Sequence, residues 1–204
     1  AQGEDAEAAA LLAKVAALQP DSIEARARLG AILLEAGSDE QGVQALRDVL
    51  AIYPGYEQAD VLIMLNYLRR VDLAAANQAA REYLERNPGS ATSYYLLGRA
   101  YLASGERQKA IAAFNIAMEL RPGDPGAGGS LAEIALSDGG YEAARHYYKK
   151  VLQHYPSNMQ MRLKDAASYA VEGKEQKMLD SLRTTLSAYP RAMEPRLVMA
   201  RYHM

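Results

Sequence analysis

Apolar residues recur along the chain in short bursts at helical spacing. Tyr94, Leu97 and Tyr101 mark one burst, and Ala110, Phe114 and Ala117 mark the next, with the polar break Ser104-Gly105-Glu106 between them. This alternation predicts short amphipathic helices joined by tight turns. Gly105 ends the first helix, because glycine accepts the left-handed conformation at a helix C-terminus. Pro122 lies past the second and blocks its continuation.

The alternation is periodic. Pro20, Pro54, Pro88, Pro122, Pro156 and Pro190 each follow the last by 34 residues. Gly37, Gly105, Gly139 and Gly173 share a second phase, with Val71 as its single departure. Ala8, Ala76, Ala110 and Ala144 share a third. A fixed period of this length signals a repeat array of helix pairs. Short polar stretches restart each pair, with Ser90 or Asp124 as N-cap and Pro125 at the first helical position.

Gly30 and Gly98 sit inside apolar runs, where glycine costs about 1 kcal/mol relative to alanine. Helices joined by a tight turn pack antiparallel, and a missing side chain lets two backbones approach. Ala132, Ala166 and Ala200 share this phase. Met64 is the exception, which predicts looser or tilted packing in its unit.

The unit made by residues 91–124 closely resembles the tetratricopeptide repeat, with Tyr94, Leu97, Gly98, Tyr101, Gly105, Ala110, Phe114, Ala117 and Pro122 at that family's signature positions. Other units depart from it: Gly128 replaces a large residue, and Asp165 and Met178 stand where Leu and Ala are usual. The resemblance implies an all-α fold, a right-handed α-solenoid of antiparallel helix pairs. It predicts one continuous array. Residues 1–22 form the second helix of a partial repeat; 23–56, 57–90, 91–124, 125–158 and 159–192 form five full repeats; 193–204 form the first helix of another. The chain therefore reads as a slice of a longer array, with Leu197, Met199 and Tyr202 on a terminal face open to self-association.

Composition narrows the function. The 23 basic and 25 acidic residues are interspersed and nearly cancel, so no basic stripe for nucleic acid is built. No apolar run is long enough to span a membrane. The absence of Cys removes disulfides, thiolate zinc sites and Cys nucleophiles. His146, His154 and His203 share no motif with carboxylates and read as surface residues. The PGDPGAGGS stretch lacks the spacing and lysine of a phosphate loop. Neither catalysis nor a cofactor is indicated.

In the tetratricopeptide family, ligands usually lie in a groove lined by the first helix of each unit. Carried over, that groove takes Ala27 and Ala31, then Val61, Leu65 and Leu68, then Tyr95, Arg99 and Leu102, then Gly129, Glu133 and Leu136, then Leu163 and Ala167, with Leu197 and Arg201 last. Val61, Tyr95 and Leu163 stand where chaperone-binding members carry a clamp lysine, so a carboxylate clamp is not expected. An apolar strip with Arg99 and Glu133 embedded in it suits a peptide partner. The other reading is that Leu65, Leu68 and Leu102 pack against neighbouring helices and bind nothing. Gly126, Gly128 and Gly129 likewise leave two readings: room for Tyr94 and Tyr95, or a pocket beside Tyr95, Arg99 and Glu133. Tyr53, Tyr155 and Tyr189 each precede a unit-ending proline, which suggests a structural role, and Tyr-rich surfaces also suit saccharides and peptides.

More narrowly, ADVLIMLNYLRR, YYLLGRAYLASG, AAFNIAMELRPGDPGAGGSLAEIAL and EPRLVMARYH resemble the repeat lipoproteins of the PEP-CTERM/exosortase system. That resemblance implies a bacterial envelope scaffold, periplasmic or anchored to the outer membrane by a lipid upstream of this slice, and associated with exopolysaccharide production and protein sorting. The alternatives are a cytoplasmic setting, a spacer without a ligand, or an accessory factor that contacts exopolysaccharide.

Overall fold

The computed structural model describes residues 22–202. Among the described residues there are eleven α-helices and no strand. They are α1 (Ile23–Glu35), α2 (Asp39–Ile52), α3 (Glu57–Arg69), α4 (Leu73–Arg86), α5 (Ala91–Ala103), α6 (Arg107–Leu120), α7 (Pro125–Ser137), α8 (Tyr141–His154), α9 (Met159–Val171), α10 (Glu175–Ala188) and α11 (Glu194–Tyr202). Ala8, Pro20 and the partial repeat expected over 1–22, apart from Ser22, lie outside them, as does His203. Helices of 13 and 14 residues alternate up to α10, and the odd-numbered ones start at 23, 57, 91, 125 and 159. Pro54, Pro88, Pro122 and Pro156 each stand two residues past the end of an even-numbered helix.

The chain forms two compact units, divided between Ala110 and Ile111 inside α6. In the first, α1 to α5 pack consecutively, and α3 also touches both α1 and α5. In the second, α7 to α11 pack consecutively and α7 also touches α9. Contacts of this kind, between neighbours and next neighbours, define a solenoid of helix pairs.

The helix ends follow from local chemistry. Asp124 accepts a hydrogen bond from the Ala127 amide at 2.8 Å with Pro125 beginning α7. Ser22, Asp72 and Asn158 cap α1, α4 and α9 in the same way. Ser90 holds the N-cap position of α5 but makes no side-chain cap bond. There the Ser93 hydroxyl ties the turn down instead, donating to the Asn87 carbonyl at 2.7 Å. At the other ends, Gly37, Gly105, Gly139 and Gly173 take φ of 74° to 82°. Each lets the following amide reach back to a carbonyl of the last helical turn, as when Glu106 N–H donates to Tyr101 O at 2.9 Å. Val71 makes the same turn at φ 59°, with Asp72 N–H on Tyr67 O at 2.9 Å. A β-branched residue is strained there, and the Val71 side chain gains little in return, being 72% exposed.

Close approach of paired helices is the reason for the small residues. A Cβ on Gly30 would stand 2.7 Å from Leu46 Cγ and 3.1 Å from the Gly42 carbonyl; one on Gly42 would stand 2.6 Å from Leu34 and 2.9 Å from the Gly30 carbonyl. The two glycines thus face each other backbone to backbone across α1 and α2. Gly98 is buried at the same phase, and Ala110 and Phe114 are fully buried.

In keeping with the looser or tilted packing expected from sequence, the backbones of α3 and α4 approach each other at fewer places than those of α1 and α2 or of α7 and α8, yet Met64 leaves the core closed. Met64 and Ala80 are both fully buried in one cluster with Tyr83, Leu96, Leu97 and Ala100. Ala80 occupies the phase at which the other pairs carry Leu46, Phe114, Tyr148 and Leu182. Bulk has moved from one helix to the other. The same exchange occurs once more: Leu34 meets Gly42, whereas Ala170 packs on Met178.

Further burials complete the packing. Val151 fills the space left by Gly128, where a Cβ would lie 2.5 Å away, and Met161 does the same at Gly129, where a Cβ would lie 3.2 Å from its methyl. The space beside these two glycines is thus taken by Val151 and Met161, where the sequence reading named the Tyr94 and Tyr95 rings. Tyr189 has the structural role expected, its hydroxyl donating to the Pro156 carbonyl at 2.8 Å. Asp60, 6% exposed, pairs with Arg86. Burial nevertheless pushes its carboxyl from 3.8 up to about 6 against the pull of that guanidinium.

These features make three predictions. Val71→Gly raises the urea midpoint by the equivalent of about 0.5–1 kcal/mol, strain relief outweighing the entropy of the added glycine. Met64→Ala costs about 2–5 kcal/mol and Ala80→Leu about 1–3, but the double variant costs less than their sum by about 1 kcal/mol or more, read in a double-mutant cycle. Because the folded Asp60 holds its proton more tightly than the unfolded chain does, its contribution to stability is fully present below about pH 4 and is lost as pH rises through about 6. Asp60→Asn flattens that part of the slope in urea titrations at pH 4.5 and 7.5.

Candidate functional site

The residues assigned to the groove differ in exposure within each unit. In the first unit, Leu65 is 39% exposed and opens into a cleft of about 210 Å³ between α1 and α3 with Ala31, Leu34, Glu35, Leu62, Asn66 and Arg69. Val61, Leu68 and Tyr95 instead lie half-buried against the Met64–Tyr83–Leu96 cluster, and Leu102 is half-buried. The two readings of this strip therefore divide between its residues: Leu65 is open, and Leu68 is packed.

Arg99 is tethered. Its Nη1 donates to the Tyr95 hydroxyl at 2.9 Å, and its guanidinium lies 5.8 Å from that ring's centroid. Arg69, which the sequence pattern did not single out, organises the cleft edge. It donates to the Leu34 carbonyl at 3.0 Å, to Asn66 at 2.7 Å and to Asp39 at 2.5 Å, and so joins the end of α1 to the start of α2. The only sequence signal for it is a charged side chain at a phase where later repeats carry Ala103, Ser137 and Val171.

The second unit holds a more apolar cavity of about 300 Å³, lined by Gln160, Leu163, Lys164, Ala166, Ala167, Met178, Leu182 and Val198. Leu163 and Ala167 were expected here; Met178, Leu182 and Val198 come from α10 and α11 and were not. Lys164 on the rim bridges to Glu133 of α7 at 2.5 Å, so Glu133 is exposed but already paired. On α11, Leu197 is 58% exposed, whereas Met199 packs on the α9–α10 core.

His146 and His154 are exposed. Among the described residues no group of three or more His, Cys, Asp or Glu is placed to hold a metal, and no helix is long and apolar enough to cross a membrane.

Comparisons agree with this architecture. Residues 64–125 match the family model described as tetratricopeptide repeat. The Protein CTR9 homolog of Arabidopsis thaliana is 24% identical over 193 residues, which is 87% of this chain but 17% of that protein's length. Three solved structures share the fold. PilW, described as a widely conserved type IV pilus biogenesis factor, has a TM-score of 0.68 at 16% identity, covering 97% of this chain and 91% of its own. TTC0263, a thermophilic TPR protein of Thermus thermophilus, has 0.67 at 18%, covering 88% and 98%. YrrB, described as a TPR protein with an unusual peptide-binding site, has 0.54 at 15%, covering 93% and 97%. The chain thus carries tetratricopeptide repeat sequence at residues 64–125, and its fold is the solenoid of helix pairs seen in tetratricopeptide proteins.

Proposed function

We propose that this chain is a non-catalytic interaction scaffold that binds a peptide segment on the surface of its first helices, with the Leu163 cavity as principal anchor. Tetratricopeptide folds generally act as interaction scaffolds, and YrrB is one whose peptide-binding site is recorded. The observation that carries the proposal is the cavity itself. A space of about 300 Å³ walled by Leu163, Ala166, Ala167, Met178, Leu182 and Val198 accepts a large apolar side chain, and Lys164 and Gln160 at its mouth offer polar contacts to the adjoining backbone. The Leu65 cleft offers a second, shallower foothold. A bacterial envelope setting, with a role beside exopolysaccharide production and protein sorting, is the context we infer from the resemblance to PEP-CTERM/exosortase lipoproteins.

Panning a random dodecapeptide phage library on the whole chain tests this. Enriched peptides should share a Leu, Met or Phe anchor and lose at least tenfold in affinity to Ala167→Glu. That exposed position allows the substitution to leave the melting curve in place. No enrichment, or binding indifferent to both Ala167→Glu and Leu65→Glu, overturns the proposal.

A further inference from the structure

A second cavity in the same unit has the opposite character. It measures about 330 Å³ and is lined by Glu142, Arg145, His146 and Lys149 of α8, Tyr169 of α9, and Lys174 and Lys177 at the start of α10. Tyr169 lies about 180° around α9 from Gln160, taking about 100° per residue, so this cavity opens on the side of α9 away from the apolar one.

The combination of charges is particular to this repeat. Lys149 stands at a phase that also carries Arg47, Arg81 and Arg183, and Lys177 shares its phase with Lys109, whereas Arg145 replaces Val43, Asn77, Ile111 and Leu179, and Lys174 replaces Asp72, Glu106 and Gly140. The structure has also accepted buried charge to build the site. Arg145 is 5% exposed, lies 4.4 Å over the Tyr169 ring and stands 2.9 Å from Glu172. Asp165, behind it, occupies a phase held by Ile63, Leu97 and Leu131 in other repeats. Buried ion pairs seldom add stability over apolar residues of similar volume, so the repeat fold gains nothing evident from this replacement.

The charges facing the cavity are not all neutralised. Glu172 engages Arg145 and Lys174, and Glu142 reaches Arg145 only at 4.0 Å from a largely exposed position. Lys149 and Lys177 are exposed and make no hydrogen bond or ion pair among the described residues; Asp165 acts on Lys149 only at longer range. The His146 ring lies edge-on to Tyr147, with centroids 6.1 Å apart.

We propose that this cavity binds the carboxylates of an acidic peptide segment, with Lys149 and Lys177 as the principal contacts and Arg145 as a positioning residue held by Tyr169 and Glu172. The cations are distributed over one turn of α8 and the first turn of α10. That spread matches several carboxylates along one strand better than a single small anion, which needs convergent donors. The site is independent of the apolar cavity and shares none of its residues.

Fluorescence anisotropy of fluorescein-labelled hexaglutamate against the whole chain, at 20 and 150 mM NaCl, tests it. Binding should weaken at the higher salt. It should weaken at least tenfold further in Lys149→Glu/Lys177→Glu, and less than twofold in Arg28→Glu/Arg47→Glu, which changes the net charge equally in the other unit. Ala167→Glu should leave it unchanged, so failure here and failure of the apolar cavity are distinguishable. No binding at 20 mM NaCl, or equal losses in both charge-reversed variants, overturns the assignment. So does displacement of the peptide by inorganic phosphate or polygalacturonate at matched charge, which would indicate a small-anion or polysaccharide site.

Discussion

Each helix pair in this chain is governed by how closely two backbones cross. At Gly30 and Gly42 the carbonyl of each glycine occupies space that a side chain on the other would need. The turn between them has to be short and left-handed to bring the helices back at that separation, which Gly37 supplies at φ 80°. Proline then releases the chain from the second helix so that the next pair can begin. The core follows from these steps, because the apolar stripes left on each pair are covered by its neighbours. Large and small residues are divided differently between the two helices from pair to pair. Gly30 with Leu46 and Met64 with Ala80 are opposite divisions.

Much of this was legible in the residues. Helix ends depend on local chemistry, and glycine, proline and aspartate carry that chemistry wherever they occur. The period made each inference testable against four other copies. Where the reading fell short, the missing information was a partner distant in sequence. Met64 alone predicts a wider crossing; that Ala80, 16 residues on, shares its cluster and keeps it buried is not visible locally. Arg69 has no local motif, and its role rests on Leu34 and Asp39 across a helix boundary. Leu65 and Leu68 share one apolar stripe, and only the neighbouring helices decide which stays open. The apolar cavity was found by its first-helix wall, Leu163 and Ala167, while Met178 and Leu182 of α10 were invisible to a rule that looks at first helices alone, and Val198 lies one residue beyond the position that rule assigned on α11.

A repeat array also provides its own standard of comparison. Positions that hold the same kind of residue in every copy report on the fold, and a copy that departs from them has met a different requirement. Val71 departs and gains only strain. Arg145 and Asp165 depart together, opposite charges at two phases that are apolar in most copies, beside one cavity. Coordinated change of that kind separates a site from a blemish.

The exchanges of bulk bear on how such a chain assembles. Five similar helix pairs within one polypeptide offer many wrong partners, and misassembly between like units is a characteristic failure of repeat proteins. A helix that carries Met64 overfills the crossing if it meets a second helix bearing Leu46 or Phe114, and Ala80 leaves a hole against Gly30. The pair α3–α4 is thereby keyed to itself, and Met178 keys α10 to α9 in the same manner. These residues act as addresses, marking which of several nearly interchangeable partners is the correct one while the chain is still finding its fold.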